Sequence, residues 1–303
     1  MKFFDTPILL IIFNRPDTTI QVFEAIRLIK PKSLYIFADG PRIGRKFDKE
    51  LCQQAREIIR KVDWDCKVYL NFNETNLGCG PGPTSAIDWF FHNEEQGIIL
   101  EDDCVPSMDF FLFAEKMLVK YKDNTKVMHI SGSNLSDVGN DGNSDYFYSK
   151  YPIPWGWATW KRAWNEFDFR LENWSSDEEH NLFLKDINLA ETLFWKRLWQ
   201  SIKKGRCKDV WDAQWIYACM RNKALAVTPT VNLIKNIGFG ASATHHKKEQ
   251  PYLNKEYKNL ALTITPPPKI TPNKLYDAYI LKLLFTRPRL LKRIQIKFLH
   301  LFG

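Results

Sequence analysis

The sequence predicts an α/β fold, a Rossmann-like central sheet that is mostly parallel and has helices on both faces. Five apolar runs recur within the first 132 residues, at 7–13, 33–40, 66–72, 97–100 and 126–132. The stretches between them carry apolar residues at helical spacing. Four of the runs lead into polar or Gly/Pro punctuation. Strands alternating with helices in this way build a parallel sheet covered on both sides.

Each element has its own warrant. PILLIIF (7–13) contains no polar residue, as a strand buried on both faces requires. Ile20, Phe23, Ile26 and Ile29 set one stripe of a helix over 18–30. SLYIFADG (33–40) is the second strand, and Leu51, Ala55, Ile58, Ile59 and Val62 mark the next helix. CKVYLNF (66–72) is the third strand, followed by the Gly/Pro loop NLGCGPGP (76–83) and a helix over 84–95. GIIL is the fourth strand, 107–121 a helix and KVMHISG (126–132) the fifth strand. Beyond Gly132 the regular alternation stops. A polar loop (136–145) precedes the tryptophan-rich YPIPWGWATWKRAW (151–164). Helices are expected over 185–204 and 212–222, and a strand over 224–234. The domain therefore spans 1–262, with halves 1–132 and 133–262. A proline-rich linker (263–273) and a basic amphipathic tail (274–303) follow.

Composition narrows the function classes. The chain has 303 residues, 45% of them apolar, and a formal net charge of +8. Six Lys/Arg (282, 287, 289, 292, 293, 297) and no acid fall in residues 280–303, so the rest of the chain is nearly balanced. Basicity confined to a tail argues against a nucleic-acid-binding domain. In helical register the tail places Leu290, Leu291, Ile294, Phe298 and Leu301 on one face and Arg289, Lys292, Arg293 and Lys297 on another. That pattern suits an anionic membrane surface; docking on the protein body is the plainer alternative. The six cysteines show no CxxC spacing, which suits a reducing cytoplasm better than a disulfide framework. Asp5 interrupts the apolar start, so a leader peptide is not expected, and no apolar run approaches the length of a membrane span.

The chemistry gathers at strand ends, where open parallel sheets bind ligands. Asn14-Arg15-Pro16 follows the first strand, Asp39-Gly40 closes the second, Asn76-Leu77-Gly78 follows the third, and Glu101-Asp102-Asp103 closes the fourth. Three adjacent carboxylates repel one another, and a hard divalent cation such as Mn²⁺ or Mg²⁺ would relieve that repulsion. An acidic helix start is the plainer reading. The Gly/Pro loop lacks the Gly-Lys-Ser/Thr of a P-loop and does not fit a dinucleotide fingerprint. Asp212, between Trp211 and Trp215, has neighbours that would desolvate it and raise its pKa, as suits a general base. It would equally serve as a helix cap.

FNRP, ADG, NLG and IILEDD..PS.DFF resemble the GT-A glycosyltransferases, in which the acidic triplet is the DxD motif. PWGWATW and KDVWDAQW are similar to segments of the N-acetylglucosaminyltransferase I family. The likeness covers roughly residues 5–245. It implies an inverting transfer of a sugar from a nucleoside diphosphate sugar, with UDP-sugars favoured, to a hydroxyl of a glycan or lipid-linked oligosaccharide. Asp103 would hold the metal, with His245 a further candidate. Asp102 would touch the ribose, Glu101 the sugar, Asp39 the base, and Arg15 the nucleotide. Asn14, Gly40 and Asn76 would complete the donor site. Asp212 would be the catalytic base, and Trp155, Trp157 and Trp211 would line the sugar and acceptor side. The sequence departs from the family in the Gly/Pro loop, where an arginine- and histidine-bearing helix start is replaced by Gly80, Gly82 and Pro83. The alternatives are a sugar-phosphate nucleotidyltransferase and a non-catalytic carbohydrate-binding protein. The expected location is the cytoplasm, on the inner face of the membrane.

Overall fold

Strand β1 (Ile8–Ile12) is buried at every position, as an all-apolar run must be when both faces of its sheet are covered. It runs parallel between β2 (Ser33–Ala38) and β4 (Gln96–Glu101). β3 (Lys67–Phe72) extends the sheet beyond β2, also parallel. The structure, a computed structural model, describes residues 4–138, 140, 142–172, 174, 189–238, 255–260 and 263–285.

The remaining strands are β5 (Cys104–Pro106), β6 (Val127–Ser131), β7 (Tyr146–Ser149), β8 (Trp157–Trp160), β9 (Leu225–Pro229) and β10 (Ile234–Asn236). The central sheet has eight strands in the order β3-β2-β1-β4-β8-β6-β9-β7, while β5 and β10 form a separate antiparallel pair. β8 is antiparallel to both β4 and β6, and β7 to β9; the other neighbours are parallel. This is the mixed α/β, Rossmann-like sheet expected from the sequence.

Helix α1 (Pro16–Ile29) opens on a proline, whose missing N–H costs nothing in the first turn. α1 packs with α2 (Asp48–Glu57), which tightens into a 3₁₀ turn at Ile58–Lys61, and with α4 (Met108–Lys120). Ser107 caps α4 by accepting the Phe110 N–H at 3.2 Å. α3 (Pro81–Asn93) packs with the short α5 (Lys161–Trp164). α6 (Leu189–Lys203), α7 (Asp212–Arg221) and α8 (Lys274–Phe285) complete the described helices.

Two differences from the sequence reading matter for the site. The tryptophan-rich segment, to which the sequence reading gave no element, inserts as β8 between the fourth and fifth predicted strands, with Ala158 opposite both Ile98 and Ile130. Its tryptophans hid a strand of only four residues. Burial works there because Thr159 Oγ donates to the Met128 carbonyl at 2.6 Å and Trp160 Nε1 to the Leu118 carbonyl at 3.1 Å. The expected strand over 224–234 is instead two, β9 and β10, which serve different sheets.

The proline-rich segment lies along β7. The Asp145 N–H donates to the Thr265 carbonyl, the Thr265 N–H to Asp145 Oδ2, and the Asn273 N–H to the Tyr148 carbonyl at 2.7 Å. It thereby covers a strand edge that would otherwise be free. α8 then docks through Tyr276 and Ile280, both fully buried, and Asp277 accepts a hydrogen bond from Ser149 Oγ at 2.7 Å. Residues 286–303 lie outside the described residues, as do His245 and His246.

Candidate active site

The strand order brings the polar strand ends together. From β1 the chain steps outward to β2 and β3, then returns to the other side of β1 as β4. The reversal makes a switch point between β1 and β4, where open α/β sheets leave a crevice at the carboxyl edge. Glu101, Asp102 and Asp103 stand on that edge.

Arg15, at the end of β1, supplies the charge that the triplet needs. Its guanidinium donates through Nη1 to Asp103 Oδ2 at 2.8 Å and through Nη2 to Asp102 Oδ1. Asp102, whose side chain is 3% exposed, also accepts the Phe13 N–H at 3.2 Å. Burial and then the charges of Asp103 and Asp102 push the Glu101 carboxyl up to about 8, against the pull of Arg15. From the other side, the Ile237 N–H donates to the Asp103 carbonyl at 2.8 Å, continuing the pairing of Asn236 with Cys104. Gly238 follows immediately. A Cβ there would lie 2.0 Å from Asp103 Oδ2, so only glycine fits.

Asp39 organises the neighbouring loop. Its Oδ1 accepts the N–H groups of Gly40 (2.8 Å) and Leu77 (2.9 Å). Its Oδ2 accepts Asn76 Nδ2 (2.7 Å) and the Gly78 N–H (3.2 Å). Four donors fill the four lone-pair sites of a carboxylate, so a base contact from Asp39 requires one of them to leave. Gly80, next in the loop, is pressed against the segment that precedes α7: a Cβ there would lie 2.8 Å from the Lys208 carbonyl oxygen. Asn14 donates from Nδ2 to Asp48 Oδ1 at 2.9 Å, and Arg42 grips the same carboxylate through Nε at 2.6 Å and Nη2 at 2.9 Å. Hydrogen bonding to Arg42, working against burial, lowers Asp48 to about 2.

Asp212 is the first residue of α7, one position inside the cap. Its Oδ1 accepts the Ala213 N–H at 2.8 Å. Its Oδ2 is buried and has no hydrogen-bond partner. Burial pushes the carboxyl up to about 7, the helix-terminal N–H groups only partly opposing it. Asp212 reaches the acid triplet electrostatically, since its charge contributes to raising Glu101.

The tryptophans stand behind this carboxylate. Trp155, Trp157 and Trp211 are 4%, 0% and 4% exposed. Trp157 stacks on His129 (centroids 4.9 Å apart) and on Trp211 (5.8 Å). His129 is driven down to about 3 by burial, and neutral at working pH. Its Nδ1 accepts from Trp215 Nε1 at 3.1 Å, so its proton sits on Nε2 and is donated to the Ile153 carbonyl at 3.1 Å. Trp157, Trp211, Trp215 and His129 thus pack into one buried ring cluster at the start of α7.

The structure thus gathers Arg15, Glu101, Asp102, Asp103 and Asp212 into one group and places Asn14, Asp39, Gly40 and Asn76 at adjoining strand ends. Sequence reasoning missed Gly238, Asp48 and Arg42. Gly238 opens the GFG run, a glycine that no turn pattern explains; no motif marks Asp48 or Arg42 in the sequence. Among the described residues no three His, Cys, Asp or Glu side chains form a group that could hold a metal. What the edge does offer is Asp103, a partly exposed carboxylate (14%), beside a cationic side chain. That donor set fits a Mg²⁺- or Mn²⁺-like ion whose other ligands are water and substrate phosphate, and does not fit an ion held by protein alone.

No family model matches this sequence, and no curated protein matches it. Solved structures similar to the chain include HddC from Yersinia pseudotuberculosis, at 10% identity and a TM-score of 0.32, covering 55% of this chain and 84% of that one. Another is a UDP-glucose pyrophosphorylase complexed with UDP-glucose, at 8% identity and a TM-score of 0.33, covering 74% of this chain and 90% of that one. Likenesses of this size carry no functional argument, and the chemistry has to come from the residues.

Proposed function

We propose that the protein is a glycosyltransferase that moves a sugar from a nucleoside diphosphate sugar to a hydroxyl of a glycan or lipid-linked acceptor. One observation carries this reading. Asp212, near enough for its charge to act on Glu101, carries a buried, unpartnered carboxylate oxygen beside an edge that also holds an arginine paired with two aspartates. Leaving a buried oxygen unsatisfied costs about 1–3 kcal/mol, a cost that a general base recovers when an acceptor hydroxyl docks against it.

In this account the diphosphate lies across the switch point between β1 and β4, within reach of Arg15. Asn14, Gly40, Asn76 and Asp102 border the nucleoside, and Glu101 borders the sugar. Asp39 shapes the loop on which the nucleoside rests. Asp103 would hold a divalent cation, which when bound supplies charge stabilisation to the leaving diphosphate. Asp212 Oδ2 takes the proton from the acceptor hydroxyl, and the tryptophans behind it exclude water and keep its basicity near neutral pH. Attack by a single activated hydroxyl inverts the anomeric carbon. Trp211 and its neighbours act through Asp212. The basic tail beyond α8 would hold the protein at an anionic membrane, where a lipid-linked acceptor would be met; no helix among the described residues is long and apolar enough to cross one.

Chromatography separates this reading from its competitors. UDP-, GDP- and dTDP-sugars, incubated with the protein and Mn²⁺, should yield a nucleoside diphosphate. Pyrophosphate formed from a nucleoside triphosphate and a sugar phosphate would identify a nucleotidyltransferase instead. Neither product, with no sugar nucleotide bound, would leave a carbohydrate-binding protein.

A further inference from the structure

Arg15 and a divalent cation want the same atom. Asp103 has Oδ2 engaged by Arg15 Nη1 at 2.8 Å, and its side chain is 14% exposed. Its Oδ1 faces the Cys104 Sγ at 3.4 Å. The backbone of Gly238 also crowds Oδ2, close enough that even a Cβ would collide with it. A cation arriving at Oδ2 therefore has no room beside the guanidinium, and the two positive charges would repel across one carboxylate. Two features show that the edge is built for a ligand beyond its own residues. Asp212, whose charge acts on Glu101, has its Oδ2 buried and without a partner. Arg15 is a third exposed although both carboxylates it grips are nearly covered, so part of its side chain stays open to solvent.

We propose that Arg15 is an exchangeable counter-ion: in the resting protein it neutralises Asp102 and Asp103, and a divalent cation gains Asp103 only when a nucleoside diphosphate draws the guanidinium away. This exchange presupposes the proposed sugar-nucleotide site. A planar guanidinium matches a phosphate as well as it matches a carboxylate, and two parallel N–H···O bonds are available in either case. When the diphosphate takes Arg15, Asp103 is left without its counter-ion beside new phosphate oxygens, which is the mixed ligand set a hard cation prefers. Cation and nucleotide then bind with positive coupling, and by linkage each raises the affinity of the other by the same factor. The resting protein is kept nearly free of metal, and its acid triplet never stands uncompensated.

The test is Mn²⁺ binding, followed by electron paramagnetic resonance of free Mn²⁺ on the full chain, with UDP as the probe. The wild type should bind Mn²⁺ at least tenfold more tightly with UDP than without it. Arg15→Gln should bind Mn²⁺ alone at least tenfold more tightly than the wild type and lose most of the gain from UDP. Arg15→Lys, which keeps one charge and cannot bridge both carboxylates, should fall between them and serves if the glutamine variant does not fold. Asp103→Asn should abolish the response in each background. A wild-type affinity indifferent to UDP, or Mn²⁺ binding unchanged by either Arg15 substitution, would overturn the inference while leaving UDP binding, and with it the proposed function, intact. Failure to bind UDP at all, with or without Mn²⁺, would sink both.

Discussion

Asp212 divides its two oxygens between two tasks. Oδ1 holds the start of α7 through the Ala213 N–H, and Oδ2 is kept unpaired. Because burial raises the carboxyl to about 7, the rate of transfer should climb with pH through about 7 and then level off; a rate falling over that range would assign the proton transfer elsewhere. The same shift has a stability consequence. A carboxyl that titrates near 7 folded and near 3.8 unfolded binds more protons in the folded state between those values. Stability conferred by the neutral form is therefore lost as pH rises from about 4 to about 7. Asp212→Asn should remove that slope. Thermal denaturation should show the variant gaining roughly 1–3 kcal/mol over the wild type at pH 8 and little near pH 4, even as its activity disappears. At the neighbouring strap, Gly238→Ala has no such compensation. A Cβ 2.0 Å from Asp103 Oδ2 forces β10 or the aspartate to move, and the cost should be about 1–3 kcal/mol of stability together with at least a tenfold weaker response to Mn²⁺ and UDP.

Among the elements, the loops at the strand ends do most of the positioning, and their legibility differed. Most of the runs of the first half were readable because buried strands carry nearly unbroken apolar sequence: Ile8–Ile12 and Gln96–Glu101 ended within two residues of where the apolar pattern placed them, and only β3 is a largely exposed edge strand. Their convergence followed from one rule about sheet edges. β8 was not readable, because four residues rich in tryptophan show no period and its partners lie far away in sequence. Arg15 was placed near a nucleotide by resemblance alone. That it neutralises the acid triplet depends on β1 and β4 being neighbours, which no local pattern states. Asp39 read as an end-of-strand acid, and the structure adds that the loop over 76–78 folds around it. Asp39→Ala deprives Asn76 and three backbone N–H groups of their acceptor. It should cost about 2–4 kcal/mol in urea denaturation and weaken UDP binding at least tenfold. A variant as stable as the wild type would show that the loop holds its shape without the carboxylate.

At the scale of the whole molecule, the sheet is a frame with one working edge and one sealed edge. The switch point between β1 and β4 gathers the chemistry, while the segment 263–273 and α8 close the far side along β7. The tail is thus not one unit. Its first part is structural through Tyr276, Ile280 and Asp277, and only residues beyond Phe285 remain for a membrane. Ending the chain after Phe285 should leave the melting temperature within about 2 °C and release the protein from anionic liposomes in co-sedimentation. Ending it after Pro272 should lower the melting temperature by several times that amount, since two buried side chains and a hydrogen-bonded carboxylate are lost. Liposome binding that survives the shorter cut would assign it to the body of the protein.

The most direct test of the central claim compares wild type and Asp212→Asn for release of nucleoside diphosphate from a UDP-sugar, alongside UDP affinity measured on the same samples. The account predicts equal UDP binding, release by the wild type that rises through pH 7, and a loss of about 10²–10⁴-fold in the variant. Equal release by both proteins, or no release by the wild type from any sugar nucleotide, would contradict it.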